Sequence, residues 1–231
     1  SAASDVYKRQ HFNSSVETSI DLEEVRRHTK ELVETKNIKA LAVCFLHSYI
    51  NPSHESAVVN LVQNEFPNLY VSSSSDVYPN MREFERWTTT AINAYTRPMI
   101  DQYLAKLEKD LEGLGFKGQL YIMTSSGGML SPITARRFPV RLLESGPAAG
   151  MLMSAVQGRT LKLPNILSFD LGGTTAKGAL VRNYKPLKSE QMEVDRVSEA
   201  RKGSGFPLRI PVLDMIEIGS GGGSIAGIDD R

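Results

Sequence analysis

The sequence predicts an α/β protein, and three observations carry that expectation. Helical apolar patterns alternate with short apolar strands over residues 21–71. The string ILSFDLGGTTAKGALV, residues 166–181, reads as two apolar strands joined by a turn of glycines and hydroxyls. Two further turns of similar make-up, Ser125–Gly128 and Gly219–Ser224, each sit at the mouth of a strand or helix. In open α/β sheets such turns gather around one ligand beyond the strand ends. The alternative is three unrelated turns, since each alone is a weak signal.

The elements follow in order. Asp21 with Glu24 three residues on is a helix-start signal, and Leu22, Val25, Leu32 and Val33 supply a partial apolar face. Ala40 to Leu46 reads as a buried strand. Asn51-Pro52-Ser53 opens a second helix whose apolar face is Val58, Val59, Leu61, Val62 and Phe66, and Pro67 ends it. Leu69 to Val71 is a short strand, with Ser72 to Ser75 as a polar hinge-like loop. Met81 to Leu114 carries a long helical pattern, bent or broken at Pro98, where a backbone donor is missing. Within it, Arg82 to Trp87 reads as a salt-bridged helix face with a packed Trp. Gln119 to Met123 is a strand. Glu144 to Gly150 then opens a small-residue helix running to about Val156, with a Ser cap and an early Pro. After the strand pair around Asp170 come a polar stretch to Gly205 and a strand run, Ile210 to Ile218.

Composition bounds the function. Of 231 residues 41% are apolar and 23% charged, as in a globular protein. A net charge of +1 makes no electrostatic case for nucleic acid or an anionic membrane. No apolar stretch is long enough to span a bilayer. The lone Cys44 excludes an internal disulfide and suits a reducing compartment, so a cytoplasmic location is expected. It lies in an apolar run and reads as a buried structural thiol rather than a nucleophile. The four histidines, His11, His28, His47 and His54, show no metal-ligand spacing, and no Ser-His-Asp or Cys-His arrangement stands out. Residues 1–10, SAASDVYKRQ, read as a non-native scar. The C-terminus follows a glycine-rich loop with no closing element, so the chain is expected to be an internal piece of a longer protein.

The chemistry concentrates on the 166–181 string. Gly172 and Gly173 let backbone N–H groups converge into an anion-binding nest, and Thr174 and Thr175 add hydroxyls. Asp170 at the strand end suits a hydrated divalent cation. Together these hold a polyphosphate and its metal without a covalent step. The spacing is not that of a Walker loop, and an ordinary glycine hairpin is the competing reading. Glu144 to Gly150 fits a plain helix start, or close packing on a strand with free N–H groups facing a phosphate. Lys177 reads as solvated, with neutralisation of a phosphate as its other role.

Five ordered blocks resemble one family: FERWTTTAINAYTRP, YIMTSSGG, ESGPAAG, FDLGGTTAK and KGSGFPLRIPVLDMIEIGSGGGSIA. They look like the hydantoinase A/5-oxoprolinase family, and AVCFLHSYINPSHE resembles the end of its N-terminal domain. The resemblance implies domains at 11–80, the end of that N-terminal domain, and 81–231, the start of the hydantoinase A domain. It implies incomplete actin-like ATPase lobes of ribonuclease-H type. It also implies ATP-dependent opening of a cyclic amide such as a hydantoin or 5-oxoproline, with ATP and Mg²⁺ as cofactors and a B-type hydantoinase subunit or domain as partner. ATP would activate the amide oxygen by phosphorylation. The related readings are the ATPase subunit of a ketone carboxylase and a non-catalytic nucleotide-binding module. By the same resemblance, Asp170 is the Mg²⁺-side carboxylate and Gly172, Gly173, Thr174 and Thr175 form the second phosphate turn. Gly146 and Gly150 belong to the helix near the phosphates, and Gly219, Gly221, Gly222 and Gly223 to the turn near the nucleotide. The family's first phosphate turn has no counterpart in this sequence.

Overall fold

The computed structural model describes residues 10–197, 203–225 and 227–228. The expected scar lies outside these residues except for Gln10, which is buried and donates to the Asn51 carbonyl at 3.2 Å. Part of the polar stretch before Gly205 and the last three residues also lie outside. The chain divides into two units, residues 1–119 with 136–140, and residues 120–135 with 141–231.

In the first unit, α1 (Leu22–Lys36) starts where the Asp21 carboxylate accepts from the backbone of Glu23 and Glu24. Strand β1 (Ala40–Val43) pairs in parallel with β2 (Tyr70–Ser73), Ala40 opposite Tyr70. A parallel pair needs a crossover, and α2 (Ser53–Glu65) lies in that connection. Val43, Val58, Val62, Leu69 and Val71 form the core, with Val25 and Val33 of α1 packed against it.

Four expectations change here. Strand β1 stops at Val43 rather than Leu46, because side chains take over the backbone beyond it. The Phe45 N–H donates to Glu55 at 2.8 Å, and Arg86 donates to the Phe45 carbonyl at 2.9 Å. The expected hinge is not a loop: Ser72 and Ser73 end β2, and α3 (Ser74–Val77) follows. Ser72 and Ser74 are buried, the first accepting from Asn93 and the second donating to Glu55 at 2.6 Å. Helix α4 (Glu83–Gly113) runs unbroken through Pro98. Side chains around the proline tie the helix to β2, Arg97 reaching the Val71 carbonyl and Asp101 accepting from the Tyr70 hydroxyl at 2.8 Å. Arg86, read as part of a salt-bridged helix face, is instead buried and donates to Ser74 and to the Phe45 carbonyl.

The second unit opens with β3 (Ile122–Met123) and β4 (Met129–Leu130), an antiparallel pair shorter than the expected strand. After α5 (Pro132–Arg137) comes α6 (Ser145–Leu161), which carries the small-residue run further than Val156. Strands β5 (Ile166–Leu171) and β6 (Ala176–Arg182) form the expected antiparallel hairpin, and β7 (Lys185–Pro186) adds to β6. Beyond it lie β8 (Lys188–Ser189), β9 (Met192–Val194) and β10 (Phe206–Leu208), β9 pairing with β10. The Ile210–Ile218 run splits into β11 (Val212–Leu213), on β8, and β12 (Met215–Ile218), on β6. It breaks at Asp214, whose N–H donates to the Leu187 carbonyl at 2.9 Å. Ala148, Met151 and Ala155 of α6 pack on Ala179, Val181 and Leu213. No helix among the described residues is long and apolar enough to cross a membrane.

Candidate functional site

The site is built at one end of the β5–β6 hairpin. The Gly172 N–H donates to the Thr175 carbonyl at 2.9 Å and closes the turn. The glycine loop that follows β12 docks onto this turn, Gly222 N–H donating to the Gly172 carbonyl at 2.9 Å. A Cβ on Gly221 would stand 2.1 Å from the Gly173 oxygen and 2.6 Å from the Thr174 nitrogen. Two backbones therefore touch at Gly221, and only glycine permits it. Gly173 and Gly223 face open space, and Gly222 has ordinary room. Gly219 leaves β12 exposed, and Thr174 is exposed while Thr175 is half-buried.

Residues opposed across antiparallel strands share a face. By register Asp170, Lys177 and Glu217 form one row across β5, β6 and β12. Asp170 is exposed at the strand end. Lys177 is not the solvated side chain expected: it is mostly buried and ion-paired with Glu144 and, at 3.4 Å, with Glu217. Burial opposes its charge, but the Glu144 hydrogen bond and the two carboxylate charges outweigh it and raise the ammonium above its ordinary range. Glu144 and Glu217 were missed at the sequence level. Glu217 had a signal, its alternation with Met215 on the same face of β12, whereas nothing in the local sequence brings Glu144 to Lys177.

Helix α6 meets β5 through the Ser154 and Ser168 hydroxyls, 2.9 Å apart. Only residues 162–165 join the two elements, so they run antiparallel. Four residues back along α6, about 6 Å of helix, is Gly150, and two residues on along β5, about 6.6 Å of strand, is Asp170. The two thus come level. Neither Gly146 nor Gly150 has an atom within 4 Å of where its Cβ would be. Their role is not close packing, which falls to Gly158, where a Cβ would meet Ile166 at 2.4 Å. Both are exposed on the first turns of α6, on the stretch that comes level with Asp170. Glu144 caps the helix in the left-handed region, φ 63°, with no side-chain bond to the first N–H groups, so the expected Ser cap is not used.

The third glycine turn is tied inward at its first serine. Ser125 is buried, donating from its backbone at 2.9 Å and its hydroxyl at 2.8 Å to the Arg141 carbonyl and accepting from the Leu213 N–H at 2.8 Å. It braces the segment leading to Glu144.

The resulting end of the unit offers turn backbone, hydroxyls, a helix N-terminus, the Lys177 cation and the exposed carboxylates of Asp170 and Glu217. Among the described residues no trio of His, Cys, Asp or Glu gathers to hold a metal alone. An exposed strand-end carboxylate such as Asp170 suits Mg²⁺, which keeps several waters and takes further ligands from phosphates.

A profile described as hydantoinase/oxoprolinase matches residues 86–231, and one for the hydantoinase/oxoprolinase N-terminal region matches residues 2–66. The chain belongs to the hydantoinase/oxoprolinase family. An uncharacterised protein of Methanocaldococcus jannaschii is 37% identical over 229 residues, 98% of this chain and 34% of the relative. A nucleotide-free structure of an acetone carboxylase, an enzyme of ATP-dependent acetone carboxylation, superposes with TM-score 0.78 at 25% identity, over 96% of this chain and 30% of that one. An ATP-dependent caprolactamase structure from Pseudomonas jessenii superposes with TM-score 0.76 at 26% identity, over 94% and 30%. The chain thus spans about a third of the relatives' length.

Proposed function

We propose that this chain is the nucleotide-binding part of an ATP-dependent hydrolase of cyclic amides, an A-type subunit acting with a B-type partner in the cytoplasm. The observation that carries the reading is the docking of the Gly219–Ser224 loop onto the Gly172–Thr175 turn at Gly221, beside the open start of α6. Loops with unrelated duties do not need backbone-to-backbone contact. Contacts to a polyphosphate must converge, and the fusion holds the two glycine loops backbone to backbone, as such convergence requires.

In this reading the architecture is an actin-like ATPase lobe, with the phosphates cradled by Gly172, Gly173, Thr174, Thr175 and the glycines 219 and 221–223. The exposed Gly146 and Gly150 leave room for the phosphate chain at the α6 N-terminus, whose dipole favours negative charge. Asp170 would hold Mg²⁺, which supplies charge neutralisation and alignment of the phosphates when bound. The substrate class rests on the family and on the likeness to a caprolactamase. The likeness to the acetone carboxylase structure favours a second reading, the ATPase subunit of a ketone carboxylase.

Calorimetric titration of Mg-ATP into the chain and its Asp170→Ala variant tests the reading. Asp170 is exposed and contributes little to the core, so the variant should melt within about 0.5 kcal/mol of the parent and bind Mg-ATP at least several-fold more weakly. Equal Mg-ATP affinity in the two proteins would remove Asp170 from the site.

A further inference from the structure

Lys177 is surrounded by more negative charge than it balances. Its ammonium meets Glu144 and, at 3.4 Å, Glu217, and Asp170 stands opposite in the hairpin register. Two carboxylates on one cation leave net negative charge that repels a further anion. Yet this is where the nucleotide reading, on which the present inference rests, seats a polyphosphate. The two arrangements are compatible only if one carboxylate releases the ammonium.

The structure distinguishes the two partners. Glu217 is fixed by the β12–β6 ladder and makes the longer contact. Glu144 belongs to no strand, and its carboxylate, about one-third exposed, makes no capping bond to α6. It loses little by turning to water. A lysine ammonium is a point charge on a flexible stem, so Lys177 reaches a new anion without moving its strand.

We propose that Lys177 is a phosphate-binding residue of this site and that Glu144 is its internal competitor, holding the ammonium until a phosphate replaces it. The pair then sets the threshold for nucleotide entry. Removing Glu144's charge tightens polyphosphate binding, whereas removing Lys177's charge weakens it. A purely structural ion pair gives no such opposition, because losing either partner loosens the same contact.

The experiment titrates Mg-ATP and, separately, tripolyphosphate into the parent chain and Glu144→Gln, Lys177→Met and Lys177→Arg, with thermal melts to establish folding. Expected is binding about 2–5-fold tighter in Glu144→Gln, the fold-change matching a partly exposed ion pair. Lys177→Met should bind several-fold more weakly with a shallower salt dependence, and Lys177→Arg should restore binding. Should Lys177→Met fail to fold, Glu144→Gln carries the test alone, since tightening is not a consequence of misfolding. Glu144→Gln binding no tighter than the parent overturns the proposal. If tripolyphosphate follows the expected order while Mg-ATP binds none of the proteins, the nucleotide reading fails and the competition stands. If Mg-ATP binds all four alike, the nucleotide reading stands and the competition fails. No binding of either probe to any protein overturns both.

Discussion

Gly221→Ala is the substitution whose effect the structure defines most sharply. The new Cβ would stand 2.1 Å from the Gly173 oxygen, and both groups are backbone, so neither can rotate away. Reaching even the shortest real contact of 3.0 Å requires the loop to retreat by about 1 Å. That retreat stretches the 2.9 Å hydrogen bond from Gly222 to Gly172 beyond useful length. Overpacking costs about 1–3 kcal/mol and the lost hydrogen bond about 0.5–1.5 kcal/mol, so the loop should be destabilised by roughly 2–4 kcal/mol. The loop is at the surface and can open alone, so global melting understates the change. Amide hydrogen exchange at Gly222 is the direct assay, with faster exchange expected in Gly221→Ala by a factor on the order of 30 to 1,000. Gly223→Ala is the control, because its Cβ meets open space. Equal Gly222 exchange in the two variants would refute the backbone contact and the fused-turn argument with it.

Three further outcomes are expected. Glu55 is fully buried and accepts from Phe45, Ser74 and Ser75; Glu55→Ala should cost about 3–5 kcal/mol in denaturant unfolding by stranding those donors and Arg86, and a cost under about 1 kcal/mol would refute the network. Burial, reinforced by the Glu55 charge, pushes the Cys44 thiol up from 9.0 to about 12. A raised folded value means the contribution is fully present below pH 9 and lost as pH rises towards 12; Cys44→Ala should flatten that decline, and in the parent the thiol should resist disulfide reagents at pH 8 unless the fold opens. Thr174→Ala should weaken Mg-ATP binding by no more than about tenfold, because it removes one neutral hydrogen bond of about 0.5–1.5 kcal/mol from an exposed residue; a complete loss would mean that Thr174 does more than donate.

Much of the fold was legible because local rules govern it. The hairpin over 166–181, the Asp21 cap and the crossover helix all follow from periodicity and turn chemistry that act within a few residues. What escaped was burial of charge. Arg86 and Lys177 carry the same letters whether solvated or enclosed, and only tertiary partners such as Glu55 and Glu144 decide which. The glycines of α6 misled for a related reason: Gly146, Gly150 and Gly158 recur along one helix, yet only Gly158 faces a close neighbour. The serines at 72–75 looked like a polar hinge, but a buried hydroxyl with partners builds structure as readily as an exposed one.

The central claim is that the fused glycine turns and the start of α6 form one phosphate site. Mapping backbone amide shifts by NMR as Mg-ATP is added to the isotope-labelled chain tests it most directly. The account predicts saturable shifts at Gly172–Thr175, at 221–224 and at Gly146 and Gly150, absent with adenosine alone and reproduced by tripolyphosphate. Shifts confined to other surfaces, or none at millimolar Mg-ATP, would contradict it.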